Sequence, residues 1–122
     1  KERKLHEVAI KAQDAAFNTY RPGIKCSEVN KASMQVIKEA GYMDYVLHHV
    51  GHGIGLSVHE PPFLDDGDST IMQAGMEFSA EPKLLVPDLG HFGHSDTVLI
   101  TEDGCEVVTY YPRDIESLTV QL

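Results

Sequence analysis

Long apolar runs and paired cysteine motifs are both missing from this sequence. It contains no run of the roughly 18 apolar residues that a membrane-spanning helix needs, and no signal-peptide pattern. Its two cysteines, Cys26 and Cys105, do not form a CxxC pair, which favours free thiols in a reducing cytoplasm over a disulfide. We therefore predict a cytoplasmic protein with no membrane partner.

Basic residues are also scarce. The 10 lysines and arginines are outnumbered by 19 aspartates and glutamates, which gives a formal net charge of −9. The only basic cluster comprises Lys1, Arg3 and Lys4, and Glu2 and Glu7 dilute it. Because contacts from lysine and arginine to phosphate dominate affinity for nucleic acid, no nucleic-acid partner is predicted.

Two helices are predicted in the first third of the chain. Between residues 1 and 20, apolar side chains recur at steps of three and four, and Arg21-Pro22-Gly23 ends the pattern. A second helix is predicted over residues 27–40, with Ser27 near its N-cap and Gly41 at its C′ position. Residues 42–50 are expected to form a short loop or extended segment.

The second half of the chain has the pattern of strands and turns. Strands are predicted over residues 76–80, 83–86, 97–101 and 105–110, and the turn at residues 102–104 makes a hairpin of the last two. The 122 residues are enough for one domain or for a piece of a larger one. The predicted fold class is α+β, with helices packed on a mainly antiparallel sheet.

Histidines are concentrated in the middle of the chain. Six of the seven lie between residues 48 and 94, accompanied by Glu60, Glu81 and Asp96. Histidine and carboxylate together are the usual ligands of borderline divalent metals, although a solvated histidine-rich loop would have the same composition. His52 lies between Gly51 and Gly53, and such a backbone can approach a ligand or a neighbouring strand closely and give the imidazole a fixed direction.

Glu81 is the second candidate for chemistry. It ends the apolar strand at residues 76–80 and precedes Pro82, so it should point into the interior or into a cleft. A lone buried carboxylate is costly unless it is paired or bound to a metal. A metal-ligand role is one interpretation, and a salt bridge to Lys83 or an exposed strand end is the other.

Three motifs occur in an order and spacing that resemble those of the pita-bread family. They are His48-x-x-Gly51-His52-Gly53-Ile54-Gly55-x-x-x-His59-Glu60-x-Pro62, then Gly75-Met76-x-Phe78-x-x-Glu81-Pro82, then Asp96-Thr97-Val98-Leu99-Ile100-Thr101 with Gly104. That family holds Xaa-Pro dipeptidases, Xaa-Pro aminopeptidases, methionine aminopeptidases and creatinase. The resemblance covers nearly the whole chain. It implies the C-terminal half of a pita-bread fold, with residues 1–122 forming a single partial domain.

The resemblance also implies a role for each matching residue. His52 and Glu81 correspond to ligands of a divalent Mn, Co, Fe or Zn ion, and Glu81 also to a group that helps to activate the nucleophilic water. His48 and His59 correspond to catalytic histidines that line the substrate pocket and stabilise the tetrahedral intermediate. The implied reaction is hydrolysis of the bond before proline in a short peptide, and the implied assembly is a homodimer.

Two departures from the family pattern concern the metal. The family takes two aspartate ligands from a hairpin upstream of the first helix, and neither Asp14 nor Asp44 is a credible substitute. Just before the Asp-Thr-Val-Leu strand the family has a bridging glutamate, whereas this chain has Ser95. A short neutral hydroxyl cannot bridge two divalent ions, so we expect an incomplete metal site and no hydrolysis by these residues alone. A smaller departure is Lys83, where the family has glycine after Glu-Pro.

These departures leave three interpretations open for the whole protein. The first is a metallopeptidase with an altered or single-metal site. The second is a creatinase-like hydrolase that works without metal, with His52 or His48 as general acid or base and a carboxylate such as Glu81 holding the substrate's cation. The third is a non-catalytic relative that binds a partner through the same cleft. The enzymatic interpretations require His52 and Glu81 to point into one pocket.

Overall fold

Two long helices lie against antiparallel strands in the computed structural model, which describes all residues from Lys1 to Leu122. The helices are α1 at Glu2–Phe17, α2 at Cys26–Glu39 and the short α3 at Ile115–Leu118, and a 3-10 turn lies at Met43–Tyr45. None of these helices is both long enough and apolar enough to span a membrane.

The first helix ends earlier than its apolar pattern. Its last turn tightens, because the amides of Thr19 and Tyr20 both donate to the carbonyl of Ala16, at 2.9 and 3.1 Å. Tyr20 stays only 2% exposed and so continues the apolar face beyond the helix. Gly23 then turns the chain with a φ of 90°, a conformation that favours glycine.

The start of α2 differs from the prediction that Ser27 lies near the N-cap. The N-cap is Lys25, which makes no side-chain capping bond, and Ser27 is buried inside the first turn. The free amides of Cys26 and Ser27 donate instead to the carbonyls of Thr70 and Asp68, at 2.9 and 3.1 Å. A distant loop therefore replaces the side-chain cap that local sequence suggested. At the other end, Gly41 has the predicted left-handed conformation, with a φ of 77°.

Seven strands form two antiparallel sheets. In chain order they are β1 Gly51–Gly53, β2 Glu60–Leu64, β3 Glu77–Ala80, β4 Lys83–Val86, β5 Gly90–Gly93, β6 Asp96–Ile100 and β7 Cys105–Val107. Five of them pair in the order β2-β1-β3-β6-β7, and β4 pairs with β5. The predicted α+β arrangement and the predicted hairpin, which is β6–β7, are confirmed.

The last predicted strand is shorter than expected. It ends at Val107 because the ladder then becomes irregular: the amide of Val108 still donates to the Thr97 carbonyl at 2.9 Å, but the Thr97 amide donates to the side chain of Thr109 at 3.1 Å. Strands β1, β2 and β5 were not predicted, since glycine and proline dominate their sequences.

Strand alternation separates a core face from a cleft face. Phe78 and Ala80 of β3 are fully buried in the main core with α1 and α2, whereas Ser79 between them faces the cleft. Antiparallel pairing places Ser79 opposite Thr97 of β6, so their side chains share one face of the sheet. A second apolar cluster joins α1 and α2 to β4. The helices thus support one face, and the other is free to carry a site.

Candidate metal centre

A cleft of about 520 Å³ opens on the polar face of the sheet. Its walls come from β1, from residues 54–59, from the residues that follow β3, and from the beginnings of β4 and β6. The cleft contains three of the four predicted site residues, His52, His59 and Glu81.

His52 forms the buried floor of this cleft and is 4% exposed. Its Nδ1 lies 2.9 Å from the carbonyl oxygen of Gly53. Because a carbonyl can only accept, this bond requires the proton on Nδ1, and the neutral ring then presents an unprotonated Nε2. That nitrogen lies 3.6 Å from Glu81 Oε1. A histidine held in this tautomer by a backbone carbonyl is the arrangement found in metal ligands.

Gly53 permits the close strand pairing that fixes His52. A Cβ atom at position 53 would lie 2.7 Å from the carbonyl oxygens of both Glu60 and Pro61, which is closer than real Cβ contacts. At Gly51 an added Cβ would clash with the backbone oxygen of Ser79. The predicted reason for these glycines, close approach to neighbouring strands, is confirmed.

Glu81 lies at the end of β3 with its carboxylate in the cleft. Its amide donates to the Val50 carbonyl at 2.7 Å, and its side chain is 16% exposed. Oε2 accepts a hydrogen bond from Ser95 Oγ at 2.9 Å and lies 3.6 Å from Lys83 Nζ. Burial alone would raise the pKa of Glu81, but the nearby Ser79 and Ser95 hydroxyls and the charge of Lys83, with His52 alongside, outweigh burial and lower the pKa. The carboxylate is therefore ionised at neutral pH.

His59 enters the site from the exposed rim. Its ring centroid lies 4.2 Å from that of His52, because the pairing of β1 with β2 sets Gly53 opposite Glu60. The Glu60 carboxylate accepts from the amide of Ser57 at 3.1 Å and so holds the preceding loop. Sequence reasoning assigned His59 to the substrate pocket, and the structure places it beside the two predicted metal donors as well.

The three side chains fit a divalent cation. Ligand atoms of His52, His59 and Glu81 all lie within 4.8 Å of one another. Two histidines and one glutamate, with a further position open, are an established set for a catalytic metal. The lone pair of His52 Nε2 and the nearby Oε1 of Glu81 are both acceptors, and a shared cation would stabilise their approach. The sequence indicated only two donors, so the structure adds one.

His48 does not join this group. It is exposed, with Nδ1 2.6 Å from the carbonyl oxygen of His49, and lines a separate depression with Leu85 and His91. Lys83 is the one residue that lines both this depression and the cleft. In this conformation His48 is therefore a neighbour of the site and not a part of it.

The side chains around the start of β6 alternate between the two faces of the sheet, as in a regular strand. Ser95 points at Glu81, whereas His94 Nδ1 bonds Asp96 Oδ2 at 3.0 Å on the helix side. Asp96 is 2% exposed and also accepts from Gln13 Nε2 of α1 at 3.1 Å. No bulge turns His94 inward, and Asp96 is a structural carboxylate.

The sequence pattern left two interpretations of Lys83, a minor departure from the family motif and an alternative partner for Glu81. The structure shows that this contact and the contact with His52 coexist, on different oxygens of one carboxylate. Lys83 lies two residues after Glu81, and alternate residues of an extended chain share a face, so this spacing could have predicted that both side chains face the cleft.

A buried histidine and a carboxylate, with a second histidine at the rim of a cleft, are typical of a metal-dependent hydrolase. The chain belongs to metallopeptidase family M24, whose sequence profile matches residues 1–102. This result and the structural matches below confirm the resemblance to the pita-bread family.

Individual relatives agree with the family assignment. The Xaa-Pro dipeptidase of Pyrococcus furiosus is 38% identical over 115 residues, which are 94% of this chain and 33% of that protein. The Xaa-Pro dipeptidase of Lactobacillus helveticus is 34% identical over 121 residues, 99% of this chain and 33% of that protein. The prolidase structure from Pyrococcus horikoshii OT3 matches with a TM-score of 0.89 at 35% identity, covering 92% of this chain and 32% of that one. The chain thus spans about a third of the length of the curated relatives it matches.

Proposed function

We propose that the protein containing this chain is a metal-dependent peptidase that hydrolyses short peptides at the bond before proline. The convergence of His52, His59 and Glu81 on one cleft carries the proposal. The names of the relatives support the proline selectivity, since both curated relatives described above are Xaa-Pro dipeptidases.

Each donor would contribute from a different depth of the cleft. His52 offers Nε2 from the floor, with its direction fixed by the bond to Gly53. Glu81 offers Oε1, because its other oxygen is already bonded to Ser95. His59 completes the set from the rim, where substrate would arrive. A bound divalent ion would polarise the scissile carbonyl and lower the pKa of a water molecule at this position.

Mutation of the floor residues tests this function. His52→Ala and Glu81→Gln should reduce kcat/KM on an Ala-Pro dipeptide by more than the roughly 100-fold that loss of a supporting group around a metal costs. The control is His91→Ala, which removes an exposed imidazole outside the cleft. Retention of full activity by His52→Ala, or equal hydrolysis of Ala-Pro and Ala-Ala, would contradict the proposal.

A second function is favoured by the contacts of Glu81 Oε2. Because Ser95 and Lys83 stabilise the carboxylate without a metal, they favour a creatinase-like hydrolase in which His52 acts as general acid or base. Such an enzyme would remain active in excess chelator and would lose activity on His52→Ala. A partner-binding relative without activity would tolerate both His52→Ala and Glu81→Gln with unchanged partner affinity.

The resemblance to the family supports three further parts of this proposal. They are the identity of the metal as Mn, Co, Fe or Zn, the homodimer, and residues 1–122 as one partial domain. The cytoplasmic location and the exclusion of nucleic acid and membrane as partners rest on composition and also stay predictions.

A further inference from the structure

The two oxygens of the Glu81 carboxylate have different surroundings. Oε1 faces His52 Nε2 at 3.6 Å, and ligand atoms of His52, His59 and Glu81, one from each, lie within 4.8 Å of one another. Oε2 accepts from Ser95 Oγ at 2.9 Å and lies 3.6 Å from Lys83 Nζ. One oxygen is therefore available to a metal, while the other already has a hydrogen-bond donor and a positive charge.

The position of the Lys83 ammonium is built into the fold. Lys83 begins β4, and the buried Pro82 separates it from Glu81. Its partner across the β4–β5 pair is Gly93, where an added Cβ would lie 2.9 Å from Lys83 Cγ. The methylene chain of Lys83 thus occupies the space that a side chain at position 93 would fill. This contact directs the side chain, which is 36% exposed, towards the carboxylate.

A second divalent ion at Oε2 would meet two obstacles. The ammonium of Lys83 would repel it at close range. The residue that faces Oε2 across the cleft is Ser95, whose neutral hydroxyl donates to the carboxylate and adds no negative charge to hold a cation. Charge and donor type therefore both disfavour a cation on this side.

We propose that the cleft holds a single divalent cation, at His52, His59 and Glu81 Oε1, and that the Lys83 ammonium with the Ser95 hydroxyl takes the place of a second cation at Oε2. This inference rests on the proposed metal-dependent function. It assigns Lys83 as a positioning residue that balances the charge of Glu81 and thereby sets how tightly the single metal is held.

A consequence of this arrangement can be measured without any substrate. Lys83 shares Glu81 with the metal, so removal of its charge should strengthen metal binding. One unit of charge a few ångströms beyond the ligand sphere, in a largely aqueous cleft, corresponds to roughly tenfold in affinity for a divalent ion. Lys83→Met keeps the length of the stem and removes the charge, whereas Lys83→Arg keeps the charge.

The experiment is a calorimetric titration with Zn²⁺ alone, with bound zinc counted by atomic emission. His52→Ala identifies the equivalents that belong to the cleft. We expect one such equivalent in the wild type, about tenfold tighter binding in Lys83→Met, and wild-type affinity in Lys83→Arg. Lys31→Met, which removes an exposed lysine on α2, is the matched control and should leave the affinity unchanged.

The possible results separate this inference from the function on which it rests. Two His52-dependent equivalents in the wild type would overturn the inference, and so would zinc binding in Lys83→Met that is equal to or weaker than wild type. Weaker binding would mean that Lys83 orients Glu81 for the metal instead of competing with it. If neither the wild type nor Lys83→Met binds zinc in a His52-dependent manner, the metal centre of the proposed function fails as well.

Discussion

Replacing Asp96 by asparagine would test the buried polar network behind the cleft. Asp96 accepts hydrogen bonds from Gln13 Nε2 at 3.1 Å, His94 Nδ1 at 3.0 Å and Thr109 Oγ1 at 2.5 Å. A hydrogen bond to a charged acceptor contributes about 1 kcal/mol more than one to a neutral acceptor. Asparagine keeps the shape, removes the charge, and turns an amide donor towards a site that supplies donors. The lost bonds sum to about 3 kcal/mol. Part of this is offset because the buried carboxylate costs more to desolvate than the amide, so the free energy of unfolding should fall by about 2 kcal/mol.

Urea unfolding followed by circular dichroism measures this change. Asp44→Asn, the same replacement at an exposed position in the 3-10 turn, is the control and should stay within about 0.5 kcal/mol of wild type. For a chain of this length a loss of 2 kcal/mol also lowers Tm by about 8 °C. If Asp96→Asn is as stable as the control, the desolvation cost of the buried carboxylate cancels its bonds, and the reasoning is refuted.

Three further predictions concern local structure. Gly53→Ala should cost about 1–3 kcal/mol of stability in urea unfolding, because its Cβ meets two carbonyl oxygens of β2, whereas Gly67→Ala, with open space around the added Cβ, should be nearly neutral. Burial raises the pKa of the Cys26 thiol to about 11. Iodoacetamide at pH 8 should therefore alkylate the half-buried Cys105 before Cys26, as followed by mass spectrometry. The reverse order would contradict the burial of Cys26. The pKa of Asp68 is lowered: burial would raise it, but bonds involving Thr70 and the amide of Phe63 outweigh burial. The ionised Asp68 therefore stabilises the fold above the unfolded pKa of about 3.9, and this stabilisation is lost as the pH falls through the folded pKa. Between pH 5 and 3 the wild type should lose more stability than Asp68→Asn. Equal losses in the two proteins would contradict a stabilising role for the Asp68 carboxylate.

Helices and apolar strands could be predicted from local pattern, and glycine-rich strands could not. The apolar faces of α1 and α2 and the β-branched run of β6 follow from spacing alone. Strand β1 consists of Gly51, His52 and Gly53, which have no strand propensity. It forms because those glycines let it lie between β2 and β3, and that tertiary reason is invisible in a local window. The amides at the start of α2 likewise depend on a loop more than 40 residues away.

The pairing of His52 with Glu81 could be predicted from the sequence, but the positions of the residues around them could not. His52 and Glu81 could be paired because one is fixed between glycines and the other ends an apolar strand. The distances around Glu81 depend on the register that sets Ala80 opposite Asp96, and no local pattern specifies that register. For His48 the motif spacing was misleading. It suggested a place in the substrate pocket, but the ring bonds the His49 carbonyl and lines a separate depression.

Ser95 and Lys83 are two departures from the family pattern that meet at one atom. A glutamate at position 95 would place a second carboxylate near Glu81, and two adjacent carboxylates need more positive charge than one ammonium supplies. With serine at position 95, Glu81 is the only carboxylate of this pair, and the Ser95 hydroxyl donates a hydrogen bond to it. One lysine and one divalent cation can then each approach Glu81 at a separate oxygen. The two substitutions are therefore coherent as a pair, because Lys83 beside a glutamate at position 95 would repel the second metal ion that this glutamate would help to bind.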